Sequence, residues 1–168
     1  MDTYLNIGSI ENFREYYTTY AELAIGEYEH WEEEEWVDVA NPDWQKFIGQ
    51  LSQELNEKGV DGFFIDNCDV YDYAPHENIF EGLTAVLQNM MTFGKAVIIN
   101  GGDTYVAEYR ERYGDIDHIM TGVNQESVWS SIDFDSGTFR EQTSETRDYF
   151  CKYLETCKAN GVEVYLLE

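Results

Sequence analysis

Gly59-Val-Asp-Gly-Phe-Phe-Ile-Asp-Asn-Cys-Asp-Val-Tyr-Asp-Tyr73 enters an apolar run, Phe63-Phe64-Ile65, through Gly62 and leaves it abruptly at Asp66, Asn67 and Asp69. A short continuous apolar run bounded by glycine and acids reads as a strand buried on both faces. Such strands belong to parallel sheets with helical crossovers, so the fold class is α/β. In these folds ligands bind at the carboxyl ends of the strands. Carboxylates there, beside aromatic residues, are candidates for acid/base or nucleophilic chemistry. The competing reading is that Asp66 and Asp69 cap the following helix or turn.

Outward from this run the alternation continues. On the N-terminal side, Trp44, Phe47, Ile48, Leu51 and Leu55 recur at helical spacing between an Asn41-Pro42 start and a Lys58-Gly59 stop. On the C-terminal side, Pro75 opens a helix with Ile79, Leu83, Val86 and Leu87 on its apolar face, and Gly94 ends it. Lys95–Ile99 and Ile116–Val123 read as strands, separated by a helix over Val106–Tyr113; Phe139–Ala159 reads as a helix, and Val162–Leu167 as a strand. Thr3–Ile7 and Trp36–Val39 are further short strands, with Ser9 as a helix N-cap between them. Six parallel strands are therefore expected, at a mean step of roughly 30 residues, the size of one βα unit of an eight-unit barrel. Residues 1–168 form one domain on this reading. It is either an open doubly wound sheet or a (β/α)8 TIM-barrel-like fold that is incomplete, lacking a first and a last unit.

The chain has 168 residues, 43% hydrophobic and 15% aromatic, which suits one globular core. Its 13 Tyr and 4 Trp serve packing, and also offer faces on which sugars stack. A net charge of −24 argues against nucleic acid and anionic membranes, favours a cationic partner, and also promotes solubility. Neither a signal peptide nor a membrane span is read in the chain, and no compartment is assigned. Cys68, Cys151 and Cys157 show neither a disulfide framework nor zinc spacing, and His30, His76 and His118 lack a neighbouring ligand. No metal site or cofactor is expected. Glu32–Glu34 read as a solvated charge run.

Several segments, in this order and spacing, resemble glycoside hydrolase family 114, the endo-α-1,4-polygalactosaminidase-like (β/α) barrels. They are Tyr4-Leu-Asn-Ile-Gly-Ser9 with Glu11, Trp31 through Glu35-Trp36-Val-Asp38, and Lys58-Gly-Val-Asp-Gly62 leading to Asp66-Asn-Cys-Asp69 and Tyr71. Asn100, Asn124-Gln-Glu126 and Val164-Tyr-Leu-Leu-Glu168 correspond to later strand ends. The resemblance implies a glycoside hydrolase of galactosamine-type polysaccharide with Asp66 and Glu126 as the catalytic pair. It sets Glu35, Trp36, Asp38, Asn67, Asp69, Tyr71 and Asn100 around the sugar. Asp66 is expected as nucleophile and Glu126 as general acid/base, on alternate strands of one sheet, with inversion favoured if the carboxyls lie more than ~6.5 Å apart. Asp38 reads equally well as a structural acid, Tyr73 is a further aromatic candidate, and Tyr4 reads as core. The expected ligand is carbohydrate, with a cationic amino-sugar polymer suited to the charge.

Two other readings compete. One is a non-catalytic carbohydrate-binding or truncated, inactive barrel fragment, whose exposed sheet edges would pair between copies. The other is a Mg²⁺- or Ca²⁺-dependent enzyme using Asp66, Asp69 and Asp72, although a calcium loop's glycine and terminal glutamate are missing.

Overall fold

The computed structural model describes residues 1–134 and 136–168. In chain order the elements are β1 (Asp2–Asn6), β2 (Ser9–Glu11), a short α1 (Tyr17–Tyr20), β3 (Ala24–Glu27), β4 (Glu34–Val37) and α2 (Pro42–Glu57). There follow β5 (Gly62–Asp66), α3 (Val70–Tyr73), α4 (Glu77–Met91), β6 (Ala96–Asn100) and α5 (Asp103–Tyr113). The chain continues through β7 (Gly122–Glu126), β8 (Ser130–Asp133), β9 (Thr138–Glu141), α6 (Ser144–Ala159) and β10 (Glu163–Leu167).

Five strands form one parallel sheet in the order β1-β5-β6-β7-β10, an incomplete (β/α) barrel wall. Alternation sorts its side chains. Phe63, Ile65, Val97, Ile99 and Val123 are buried completely, while Tyr4, Asp66, Asn100 and Glu126 occupy the opposite face. The helices supply the rest of the core through Trp44 and Ile48 of α2 and Ile79, Phe80, Leu83, Leu87 and Met90 of α4. Each such side chain contributes about 1.5–3 kcal/mol on full burial. Trp44 also donates its indole N–H to the Ile7 carbonyl at 2.9 Å, tying α2 to the end of β1.

Four local expectations change. The expected strand at Trp36–Val39 does not join the parallel sheet. As β4 it pairs antiparallel with β2 on one side and β3 on the other. A parallel return needs a crossover of a dozen or more residues, usually helical, and the helix between β1 and β4 amounts to the four-residue α1 and a single 3-10 turn, flanked by β2 and β3. Ser9, expected as a helix cap, opens β2 instead, because its hydroxyl is taken up by Asn6, Glu34 and Asn67. The strand expected over Ile116–Val123 is displaced toward the C-terminus: Ile116 and Ile119 are buried in the preceding turn, and β7 itself carries Asn124, Gln125 and Glu126. Similarly α6 begins at Ser144 under a Thr143 cap, and Phe139 lies on the β8–β9 hairpin.

Cys68, Cys151 and Cys157 are free, and Cys68 and Cys157 are buried. No helix of the described residues is long and apolar enough to cross a membrane.

Candidate active site

Three adjacent strands, β5, β6 and β7, end in Asp66, Asn100 and Glu126. Register sets Asn6 beside Asp66 and Asn100 beside Asn124, so a polar layer crosses the open face at its carboxyl end. The residue after each of the three strands is left-handed: Asn67 at φ 67°, Gly101 at 66° and Ser127 at 57°. This turns the backbone sharply off the sheet and leaves the last side chain projecting into the opening. For Asn67 and Ser127 the conformation is sparsely populated, and the surrounding contacts must hold it. Gly8 packs directly against the Asn67 carbonyl where no Cβ fits. The Asn67 amide is fixed by donating to Ser9 at 2.9 Å and to Glu34 at 3.1 Å.

Asn100 is the centre of the polar layer. Its Nδ2 donates to Asp66 Oδ1 at 3.0 Å and to Glu126 Oε1 at 3.0 Å, while Asn124 Nδ2 donates to Asn100 Oδ1 at 2.7 Å. The last bond fixes which end of the Asn100 amide faces the acids. Two acceptors that each lie 3.0 Å from one nitrogen are no more than about 6 Å apart. Asp66 also accepts from the Asn67 backbone N–H at 3.0 Å and from the Tyr4 hydroxyl at 2.8 Å. Beside this pair, Glu34 Oε1 accepts from Asn6, Ser9 and Asn67. Tyr28 donates to Asn67 Oδ1 at 3.2 Å. Burial first, then the neighbouring carboxylates, raises the Tyr4 and Tyr28 phenols well above their ordinary value, so both remain protonated donors.

These groups line a cleft of about 610 Å³ between the sheet end and the β3–β4 turn. Its walls carry Glu11, Glu32, Glu33, Glu34, Asp66 and Glu126, together with Tyr4, Phe13, His30 and Trp31. Phe13 and Trp31 are more than half exposed, offering ring faces beside the acids. Across the opening, His30 stacks on Phe134 of the β8–β9 hairpin with centroids 4.6 Å apart.

Asp66, Asn67, Asn100 and Glu126 thus come together in one cleft. The remaining expected site residues lie elsewhere. Glu35 points to the other side of β4, where it accepts from Tyr17 at 2.7 Å, and Glu34 takes the position beside Asp66. Trp36 is buried between Tyr28, at 4.2 Å, and Tyr73, at 5.6 Å, and offers no face to a sugar. Tyr71 is buried against Phe80 and Tyr105. Asp38 accepts from the Ala40 N–H, the structural half of its two readings. Asp69 lies beneath the β6–α5 turn, accepting from Gly102 N–H at 3.1 Å, and burial pushes its carboxyl up to about 6. Tyr4, expected in the core, is 46% exposed and reaches the cleft. Asp66, Asp69 and Asp72 do not converge: they bind Tyr4 and Asn100, Gly102, and Thr104 respectively. Among the described residues no group of three or more His, Cys, Asp or Glu is arranged to hold a metal.

Glu34, Tyr4 and Asn124 were the missed members. Alternation along β4 could have paired Glu34 with Trp36 on one face, but which face meets the cleft depends on the antiparallel register.

A family model described as glycoside-hydrolase family GH114 matches residues 3–100. The glycoside hydrolase domain of PelA from Pseudomonas aeruginosa is similar in structure, with TM-score 0.75 and 20% identity over 97% of this chain and 64% of that one. Aspergillus fumigatus Ega3 in complex with galactosamine gives 0.71 and 14%, over 97% and 58%. Bacillus licheniformis trehalose-6-phosphate hydrolase gives 0.63 and 10%, over 97% and 40%. The chain therefore spans less than two thirds of the length of these structures, and at such identities the likeness concerns the fold. No curated protein matches in sequence.

Proposed function

Because the chain belongs to glycoside-hydrolase family GH114, we propose that its cleft hydrolyses α-1,4-linked galactosamine-type polysaccharide, with Asp66 as nucleophile and Glu126 as general acid/base. The observation that carries this reading is the Asn100 amide shared between the two carboxylates. With each bond 3.0 Å long, it supports a separation of no more than about 6 Å between the bonded oxygens, compatible with the ~5–5.5 Å typical of retaining pairs and short of the ~6.5–9.5 Å that leaves room for water in inverting ones.

In the first step Asp66 forms a bond to the anomeric carbon as the glycosidic C–O bond breaks. The departing oxygen takes the proton carried by Glu126. Glu126 Oε1 is engaged by Asn100, which leaves Oε2 to carry that proton. In the second step water attacks the anomeric carbon and gives a proton to Glu126, and the bond to Asp66 breaks to restore its carboxylate. The acidic walls of the cleft suit unsubstituted amino sugars, which are cationic.

The test uses α-1,4-galactosamine oligosaccharides, with mass spectrometry for products and NMR for the first-formed anomer. Shortened oligosaccharides with retained configuration are expected. Asp66→Asn or Glu126→Gln should each lower turnover by at least about 10³-fold, as loss of a catalytic group does. The non-catalytic alternative is favoured by the half-open inner face of the sheet, where Tyr165 and Leu167 are exposed. Binding without products in the unaltered protein would establish it.

A further inference from the structure

Asp66 is held unevenly. Its Oδ1 receives two donors, the Asn67 backbone N–H and the Asn100 amide, each at 3.0 Å. Its Oδ2 receives one, the Tyr4 hydroxyl at 2.8 Å. A carboxylate oxygen offers about two lone-pair directions, so Oδ1 is saturated while Oδ2 keeps one free. Reaching Oδ2 is not a by-product of strand pairing. Tyr4 is level with Phe64 in the register, and Asp66 lies one pleat repeat further along β5, roughly 6.6 Å away. The tyrosine ring must therefore lean along the sheet toward the carboxyl end, from a position that leaves 46% of the residue exposed.

We propose that Tyr4 is a positioning residue for the displacement: its hydroxyl fixes the Asp66 carboxylate so that Oδ2, through its remaining lone pair, is the atom that attacks the anomeric carbon. This rests on the hydrolase reading above and deepens it. The hydrogen bond is charge-assisted, and on Oδ2 it adds a third fixed point to the two donors that already hold Oδ1. The other charged groups facing the Tyr4 hydroxyl are Glu34 and Glu11, the latter paired with Arg14 at 2.8 Å. As neither carboxylate is bonded to the hydroxyl, Asp66 is its acceptor.

Tyr4→Phe removes only the hydroxyl and should leave the melting temperature within a few degrees. The expected result is a kcat lower by about 10- to 100-fold with KM little changed, the worth of one charge-assisted hydrogen bond. An unchanged kcat overturns the proposal. A readout independent of turnover is the ring Cζ resonance of Tyr4 in ¹³C-tyrosine-labelled protein, identified by its loss in Tyr4→Phe. It should shift on Asp66→Asn, whether or not the protein is active, and a resonance that stays in place overturns the contact itself. A shifted resonance in a protein that releases no product would leave the Tyr4–Asp66 contact standing and remove the hydrolase reading, so the two failures are distinguishable.

Discussion

Asn100 joins the two acids through a single side chain. Its Nδ2 reaches both carboxylates, and Asn124 holds the carbonyl end of the amide. Aspartate at this position would set a third negative charge between the pair, so only a neutral donor suits it. Asn100→Ala should therefore lower turnover by about 10²-fold, as loss of one preorganised donor does. The stability cost should be only about 1–3 kcal/mol. Paired measurements of product formation and thermal melting check this, and a loss of activity that merely tracks unfolding would contradict it. At this scale the sequence marks Asp66 as a polar residue closing an apolar run, and its family resemblance is what adds Asn100 and Glu126. It could not name Tyr4, Glu34 or Asn124, whose roles arise from what lies beside them on other strands.

Among the elements, the β6–α5 turn has its own lock. Gly101 and Gly102 are both left-handed, and Asp69, half-buried beneath them, accepts the Gly102 N–H. The Asp69 carboxyl is raised from 3.8 to about 6, chiefly by burial and against the pull of that N–H. The folded state thus holds this proton more tightly than the unfolded chain. The associated stability is fully present below about pH 4 and is lost as the pH rises through about 6. Asp69→Asn keeps an oxygen to accept from Gly102 but does not titrate. Melting temperatures followed from pH 4 to pH 7 should fall more steeply in the unaltered protein than in the variant, by a few degrees over the interval. Parallel slopes would show that Asp69 does not carry this linkage. The β2-β4-β3 sheet illustrates the limit of reading elements locally. Trp36–Val37 has strand character in either arrangement, and the shortness of the helical segment before it decided for antiparallel pairing.

For the whole molecule, a net charge of −24 combines with a cleft whose walls carry six carboxylates. A field of that sign raises the local concentration of a polycation, and salt screens the attraction over about 10 Å at 0.1 M. KM for α-1,4-galactosamine oligosaccharides with free amines should rise several-fold between low salt and 0.5 M salt (on the order of one Debye length shortened to a few Å). KM for the N-acetylated oligosaccharides should be higher at low salt and nearly flat. Identical salt responses for the two would separate the overall charge from substrate choice.

Much was set by the chain itself. The parallel α/β architecture followed from apolar runs ending in acids and from the spacing of helices between them. The acidic character followed from composition, and the proposed Asp66–Glu126 pair from the family resemblance. Tertiary structure alone decided that Glu34 and not Glu35 faces the cleft, that Trp36 and Tyr71 are packing residues, and that Asp69 serves a turn. The physical reason is that strand side chains alternate with period two: a register difference of one residue exchanges the buried face for the open one, and register is fixed by partners distant in sequence.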